Sequence, residues 1–235
     1  MTGGRDDLIM GVNIAIDGPV GAGKSTISRA LAARLGFIYV DTGALYRAVA
    51  LGCVRAGVDL ASEDAVAGCL ESLGVTLGHL GGVQRVKLGG EDVSGLIRTP
   101  EISQLASKLS AMPPVRAFLL DTQRSIAAAC DVVMDGRDIG TVILPDADIK
   151  IFLTASAEDR ARRRHGELLS KGVDCDYATV LKELTERDER DSTRAASPAV
   201  RAADADLIDT TGNTFEQSVA LLCRHVENRL RGKGV

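Results

Sequence analysis

The apolar run Val12-Asn-Ile-Ala-Ile16 ends at Asp17-Gly18-Pro19, and from near Lys24 the apolar positions switch to helical spacing at Ile27, Leu31 and Leu35. Strand, glycine-rich turn and helix are expected in that order. Gly36 closes the helix, Phe37-Ile-Tyr-Val40 reads as a second strand, and Asp41-Thr42-Gly43 leads into a helix carrying Tyr46, Val49 and Cys53. Further short apolar runs at Asp131–Asp135, Ile149–Leu153 and Leu207–Asp209 are each followed by polar or glycine residues and then helical sequence. Repetition of this unit predicts an α/β fold, a parallel sheet flanked by helices.

Two stretches break the rhythm. Between Ser62 and Pro100 a short helix capped by Ser62 precedes an alternating segment, in which Val86 and Leu88 interleave with Arg85 and Lys87 before Gly89-Gly90. This predicts a small antiparallel insert. From Arg160 to Arg194 the chain is dense in charge on a helical period, broken at Lys171-Gly172, and is expected to be a mobile, solvated flap. Thr99-Pro100-Glu101 and Pro113-Pro114 mark helix starts, and Asn213-x-x-Glu216 is expected to cap the last helix.

The length of 235 residues suits a single domain, 1–235. With 28 basic against 32 acidic residues the net charge is −4, which excludes the broad basic field of a bulk nucleic-acid binder, and the absence of Trp leaves little to stack bases. No nucleic-acid partner is expected. The longest uncharged stretch, 13 residues from Ser72 to Gln84, is too short to span a bilayer, and Met1–Asp7 lacks the basic-then-apolar start of a signal peptide. The expectation is a soluble, cytoplasmic monomer with no membrane partner. Five cysteines without a C-x-x-C pair read as reduced and structural, and three isolated histidines give no basis for histidine chemistry.

Gly18-Pro19-Val20-Gly21-Ala22-Gly23-Lys24-Ser25 fits the G-x-x-x-x-G-K-[ST] phosphate loop, and it falls where the mechanism needs it, between a buried strand and a helix start. Glycines let backbone N–H groups wrap a phosphate while the helix terminus adds partial positive charge. Lys24 is then expected on the β- and γ-phosphates of a nucleoside triphosphate, Ser25 on Mg²⁺, and Thr26 directly behind in the same site. The motif alone does not choose between water and another acceptor. No Asn-Lys-x-Asp stretch is present to read guanine.

Arginine supplies 21 of the 28 basic residues, and its planar fork binds phosphate bidentately. An acceptor that is itself a phosphate fits that excess. Arg47 lies on the helix after the second strand, Arg137 just beyond the third in Asp135-Gly-Arg-Asp138, and Arg187, Asp191 and Arg194 are spaced i, i+4, i+7 for one helical face. A solvated helix laced with ion pairs would show that last spacing too.

Asp17-Gly-Pro-x-Gly-Ala-Gly-Lys24, Asp41-Thr-Gly-Ala-Leu-Tyr-Arg47, Glu91-Asp-Val-Ser-Gly-x-Ile-Arg98, Asp135-Gly-Arg-Asp138 and Arg187-Asp-x-Arg-Asp191-x-x-Arg194 together resemble the bacterial cytidylate kinases, from about Ile14 to Asp209. The resemblance implies a five-stranded parallel sheet of order 2-3-1-4-5, an acceptor-binding insert at about 59–102 and a helical lid at about 158–190. It implies transfer of the γ-phosphoryl group of ATP to CMP or dCMP, giving ADP and CDP or dCDP. By position, Arg47, Arg137 and Arg194 would hold the acceptor phosphate, Arg187 and Asp191 the ribose, and Ser107, Arg116 and Asp138 the base, with Thr42 and Tyr46 lining the pocket. Many members carry Ser at the position of Thr42. Lid arginines Arg160, Arg163 and Arg164, on one helical face, would fold over ATP.

A carboxylate at Asp138 suits a cytosine amino group and repels the O4 of uracil. Lys24, Arg137 and Arg194 are the expected catalytic set, with Asp135 orienting waters on the Mg²⁺ held by Ser25. Like charges at Arg160, Arg163 and Arg164 repel on a bare helix, so the lid is expected to order only over nucleotide. The competing readings are a kinase for UMP or AMP, and a nucleotide-dependent switch protein.

Overall fold

The computed structural model describes residues 11–233, so the Met1–Asp7 stretch read above for a signal lies outside the described residues. Strand β1 (Asn13–Asp17) runs through the phosphate loop into α1 (Lys24–Leu35), and β2 (Ile38–Asp41) leads directly into α2 (Thr42–Arg55). The insert follows as α3 (Glu63–Cys69), β3 (Val75–Leu80), β4 (Val83–Leu88) and β5 (Glu91–Asp92). Helices α4 (Pro100–Leu109) and α5 (Pro113–Ala129) return to the core at β6 (Val132–Asp135). The chain ends through β7 (Ile149–Thr154), α6 (Ala157–Ser170), α7 (Tyr177–Thr193), β8 (Asp206–Asp209) and α8 (Phe215–Lys233).

The central sheet is parallel in the order β2-β6-β1-β7-β8, which is 2-3-1-4-5 when its own strands are counted along the chain. The insert forms a separate antiparallel sheet, β3-β4-β5. Asp41 and Asp135 are register partners at the ends of β2 and β6, and Asp17 closes β1 beside them. Adjacent strands thus each end in a carboxylate at the edge where an open α/β sheet builds its crevice.

Ile14, Ile16, Ile149 and Ile151 form one core with Leu31 of α1 and Leu222 and Val226 of α8. A second core joins Leu45, Val49 and Cys53 of α2 to Val86 and Leu88 of β4 and to Leu109 and Val115 of α4 and α5. The insert therefore shares its apolar face with α2. At about 1.5–3 kcal/mol for each fully buried side chain, this contact fixes the insert against α2. Gln84 adds a polar clamp: its Oε1 accepts from Asp41 N–H at 2.7 Å and its Nε2 donates to Asp41 C=O at 3.1 Å.

Thr99, Asp41 and Ser62 cap their helices through side-chain oxygens. The last helix differs from expectation by one residue. Thr214 and Gln217 form the reciprocal capping box, at 3.2 Å and 2.8 Å, while the backbone C=O of Asn213 instead accepts from Arg163.

Candidate active site

Gly18, with φ 147°, lies so close to β7 that a Cβ there would sit 2.0 Å from Leu153 O. Gly23 adopts φ 82° immediately before α1, a conformation other residues resist. The loop thus needs its glycines for both close approach and handedness. Lys24 is buried, and its Nζ donates to the carbonyls of Gly18 and Pro19 at 2.7 Å each. Burial, reinforced by Arg137, holds the ammonium well below the ordinary lysine value. Ser25 and Thr26 open α1 on its exposed side, and Ala22 is buried beneath the loop. Ser25 Oγ donates to Asp135 Oδ2 at 2.8 Å while Tyr39 Oη donates to Oδ1 at 2.8 Å. Burial, then Asp41, push the Asp135 carboxyl up to about 6.

A cleft opens from Ser25 to the ends of α4 and α7. The residues expected on the acceptor side, Thr42, Tyr46, Arg47, Ser107, Arg116, Arg137, Asp138, Arg187, Asp191 and Arg194, all line it. Thr42 is buried and donates from Oγ1 to Asp135 C=O at 2.9 Å, so its hydroxyl ties α2 to the end of β6. Arg47 pairs with Asp41 at 2.8 Å and Arg137 with Asp191 at 3.0 Å. Arg187 Nε is buried and without a protein partner. Burial first, then neighbouring Arg137 and Arg47, depress the Arg187 guanidinium to about 10. That concentration of cations is the electrostatic signature of an anion site.

At the other end of the cleft, Arg116 is bound to Asp138, which is buried, and Arg194 lies 3.6 Å from the same carboxylate. Arg116 also stacks over the Tyr46 ring at 5.6 Å and donates from Nε to Ser197 Oγ at 2.9 Å. Ser107 sits on α4 in the wall of the same cleft, and its C=O accepts from Ser110 Oγ.

The stretch 160–194 is mostly solvent-exposed, as its charge leads one to expect, but it is anchored to the body of the protein by a few buried side chains. Helices α6 and α7 pack on each other and on the phosphate loop through Ala161, Val180, Leu184 and Val20. Arg160 is buried, donating to Ala155 C=O, Val20 C=O and Asp188. Arg163 pairs with Asp159 and donates to Thr210 C=O, and Arg164 pairs with Glu167. Each lid arginine has a protein carboxylate, so the expected mutual repulsion is already offset. Arg194 also departs from the single helical face: α7 ends at Thr193 and Arg194 is its extended C-cap, yet its side chain reaches the cleft.

Asp41, Gln84, Asp188 and Ser197 were not among the expected site residues. Asp41 had a signal, an N-cap carboxylate within reach of Arg47. Ser197 holds both Arg116 and Arg194 from a left-handed backbone, φ 51°, which nothing in the sequence around it announces.

A phosphate loop at the carboxyl edge of a parallel sheet, opening into a cation-lined cleft, defines a phosphate-loop kinase. The solved structure of an uncharacterized protein from Eubacterium ventriosum shares this fold, with a TM-score of 0.51 at 14% identity over 92% of this chain and 98% of that one. The model of the family Cytidylate kinase matches residues 14–228, and the chain belongs to that family. It is 51% identical to the cytidylate kinase of Carboxydothermus hydrogenoformans over 90% of this chain and 95% of that protein, and 44% identical to that of Limosilactobacillus fermentum over 96% and 100%.

Proposed function

We propose that this chain transfers the γ-phosphoryl group of ATP to CMP or dCMP, giving ADP and CDP or dCDP. The observation that carries the reading is one continuous space: Ser25 of the phosphate loop and Arg137, Arg187 and Arg194 line the same cleft. Donor and acceptor phosphates held there meet without crossing water, which converts a bimolecular encounter into a positioned one.

The acceptor needs no general base, because a monophosphate with a second pKa near 6 is mostly ionised at neutral pH. Catalysis is then positioning and charge neutralisation. In this reading Lys24 leaves the loop carbonyls for the β- and γ-phosphates, with Gly18 through Thr26 wrapping the chain of phosphates and Arg160 and Arg163 closing from the lid. Arg47, Arg137 and Arg194 take the acceptor phosphate, Arg187 and Asp191 the ribose, and Thr42 and Tyr46 the wall beside it. Arg116 and Asp138, with Ser107, read the base: the carboxylate accepts from the cytosine amino group and the guanidinium donates to ring acceptors. Residues of about 59–102 form the acceptor-binding unit and about 158–190 the lid.

Ser25 Oγ and the buried Asp135 carboxylate, 2.8 Å apart, are hard oxygen donors, and a divalent cation would offset the buried carboxylate's charge; they fit Mg²⁺, with Asp135 acting through water. Among the described residues no cluster of three or more His, Cys, Asp or Glu side chains could hold an ion, so Ser25 and Asp135 would hold Mg²⁺ together with the nucleotide's phosphates. Bound there, Mg²⁺ supplies charge neutralisation on the donor phosphates.

The test is ADP release from ATP and Mg²⁺ with CMP, dCMP, UMP, AMP and GMP presented separately. Strong preference for CMP and dCMP is expected. A flat or UMP-led profile overturns the base reading.

A further inference from the structure

Asp188 occupies a position that none of the roles above uses. It lies one turn beyond Leu184 on α7, where that helix packs on Val20 of the phosphate loop. Its Oδ1 accepts the Val20 N–H at 2.9 Å and its Oδ2 accepts from Arg160 at 2.5 Å. Arg160 closes the ring by donating to Val20 C=O at 2.7 Å. A lid carboxylate thus grips one peptide unit of the phosphate loop and neutralises the buried lid arginine. It also lies close enough to Lys24 to favour that residue's charged form.

The same helix carries the acceptor-facing residues. Arg187 and Asp191 flank Asp188 on α7 and both line the cleft, with Asp191 tied to Arg137 at 3.0 Å. An acceptor phosphate arriving at Arg137 competes with Asp191 for that guanidinium. Any resulting rotation of α7 is felt at Asp188, because neighbouring residues on one rigid helix move together. A carboxylate beside the loop also repels the γ-phosphate, which carries the same sign of charge.

We propose that Asp188 is a positioning residue that withholds Arg160 from the donor phosphates until the acceptor has engaged α7, so that phosphoryl transfer to water is suppressed when no acceptor is bound. This rests on the assignment of the phosphate loop to ATP and of the cleft to CMP. Water is the competing acceptor in any such site, and arginines of this type strengthen charge stabilisation at the transferring group. Delaying one of them until the acceptor arrives gives discrimination without touching the acceptor.

The test compares wild type with Asp188→Asn, which keeps the shape and the Val20 contact while removing the charge. ATP hydrolysis without CMP is expected to rise about tenfold, a change readable in a coupled ADP assay. Binding of β,γ-methylene ATP is expected to tighten in the variant, and the further tightening produced by CMP in wild type is expected to shrink. A purely structural role for Asp188 would weaken both ligands and leave their coupling unchanged. Asp188→Ala serves if the first variant does not fold, with the same expected directions. Unchanged or reduced hydrolysis, or unchanged coupling, overturns the proposal. Failure of the wild-type chain to phosphorylate CMP would instead overturn the cleft assignment, and the proposal with it.

Discussion

Asp17 closes β1 and is buried, with Oδ1 accepting from Ile139 N–H and Oδ2 from Gly140 N–H, both at 2.8 Å. Those bonds fix the turn that follows Arg137 and Asp138. Burial nevertheless raises its pKa from 3.8 to about 6, with Asp138 adding to the rise while the two N–H groups and Lys24 oppose it. A raised carboxyl favours the folded state most below the unfolded value, and that advantage is lost as pH climbs through the folded value. Between pH 4 and pH 6 the folded chain binds the extra proton, so Asp17 makes stability fall as pH rises. At about 1.4 kcal/mol per pH unit the full swing is roughly 3 kcal/mol. The perturbation is Asp17→Asn, which cannot ionise. Urea unfolding of nucleotide-free protein from pH 4 to pH 7.5 is expected to show the stability difference moving toward the variant by up to about 3 kcal/mol. Turnover of CMP is expected to fall, because the amide nitrogen that replaces one carboxylate oxygen cannot accept the backbone N–H facing it and the turn loosens. Parallel pH profiles for the two proteins would refute the assignment of this proton to Asp17.

Lys24→Ala should keep the fold and lower turnover about a hundred- to a thousandfold, the scale of one lost charge-stabilising group; near-normal turnover would remove Lys24 from the chemistry. Asp138→Ala should raise KM for CMP and narrow the preference for CMP over UMP about tenfold, since the discriminating carboxylate is lost; an unchanged ratio in competition assays would place base reading elsewhere. Gly18→Ala places a Cβ 2.0 Å from Leu153 O, so the loop must shift. Its thermal midpoint and nucleotide affinity should both drop, by about 1–3 kcal/mol in stability, and an unchanged midpoint would contradict the geometry.

Asp135 and Arg137 were legible because they follow a short apolar run, and strand ends in a parallel sheet converge on one edge. The sheet order came from the resemblance, and the strands themselves from periodicity. What the charge pattern of 160–194 does not reveal is its anchoring to the phosphate loop. Charge on a helical period signals solvent exposure only when partners are local, whereas Arg160 finds Val20, 140 residues away, and Asp188 across a helix pair. Asp188 itself was hidden in a run of alternating charge. The cap of the last helix slipped by one residue because Asn213-x-x-Glu216 and Thr214-x-x-Gln217 overlap as capping signatures. Gln84, on an insert strand, carried no local signal for its backbone partner 43 residues earlier.

The Gln84 clamp has a consequence for how insert motion can be watched. One side-chain amide holds both the N–H and the C=O of Asp41, the residue that caps the helix bearing Arg47. Its amide hydrogen is shielded only while β4 stays docked. Deuterium uptake at this single position therefore counts the opening events of the insert, without a substitution, and the same proton can be followed as CMP is titrated in.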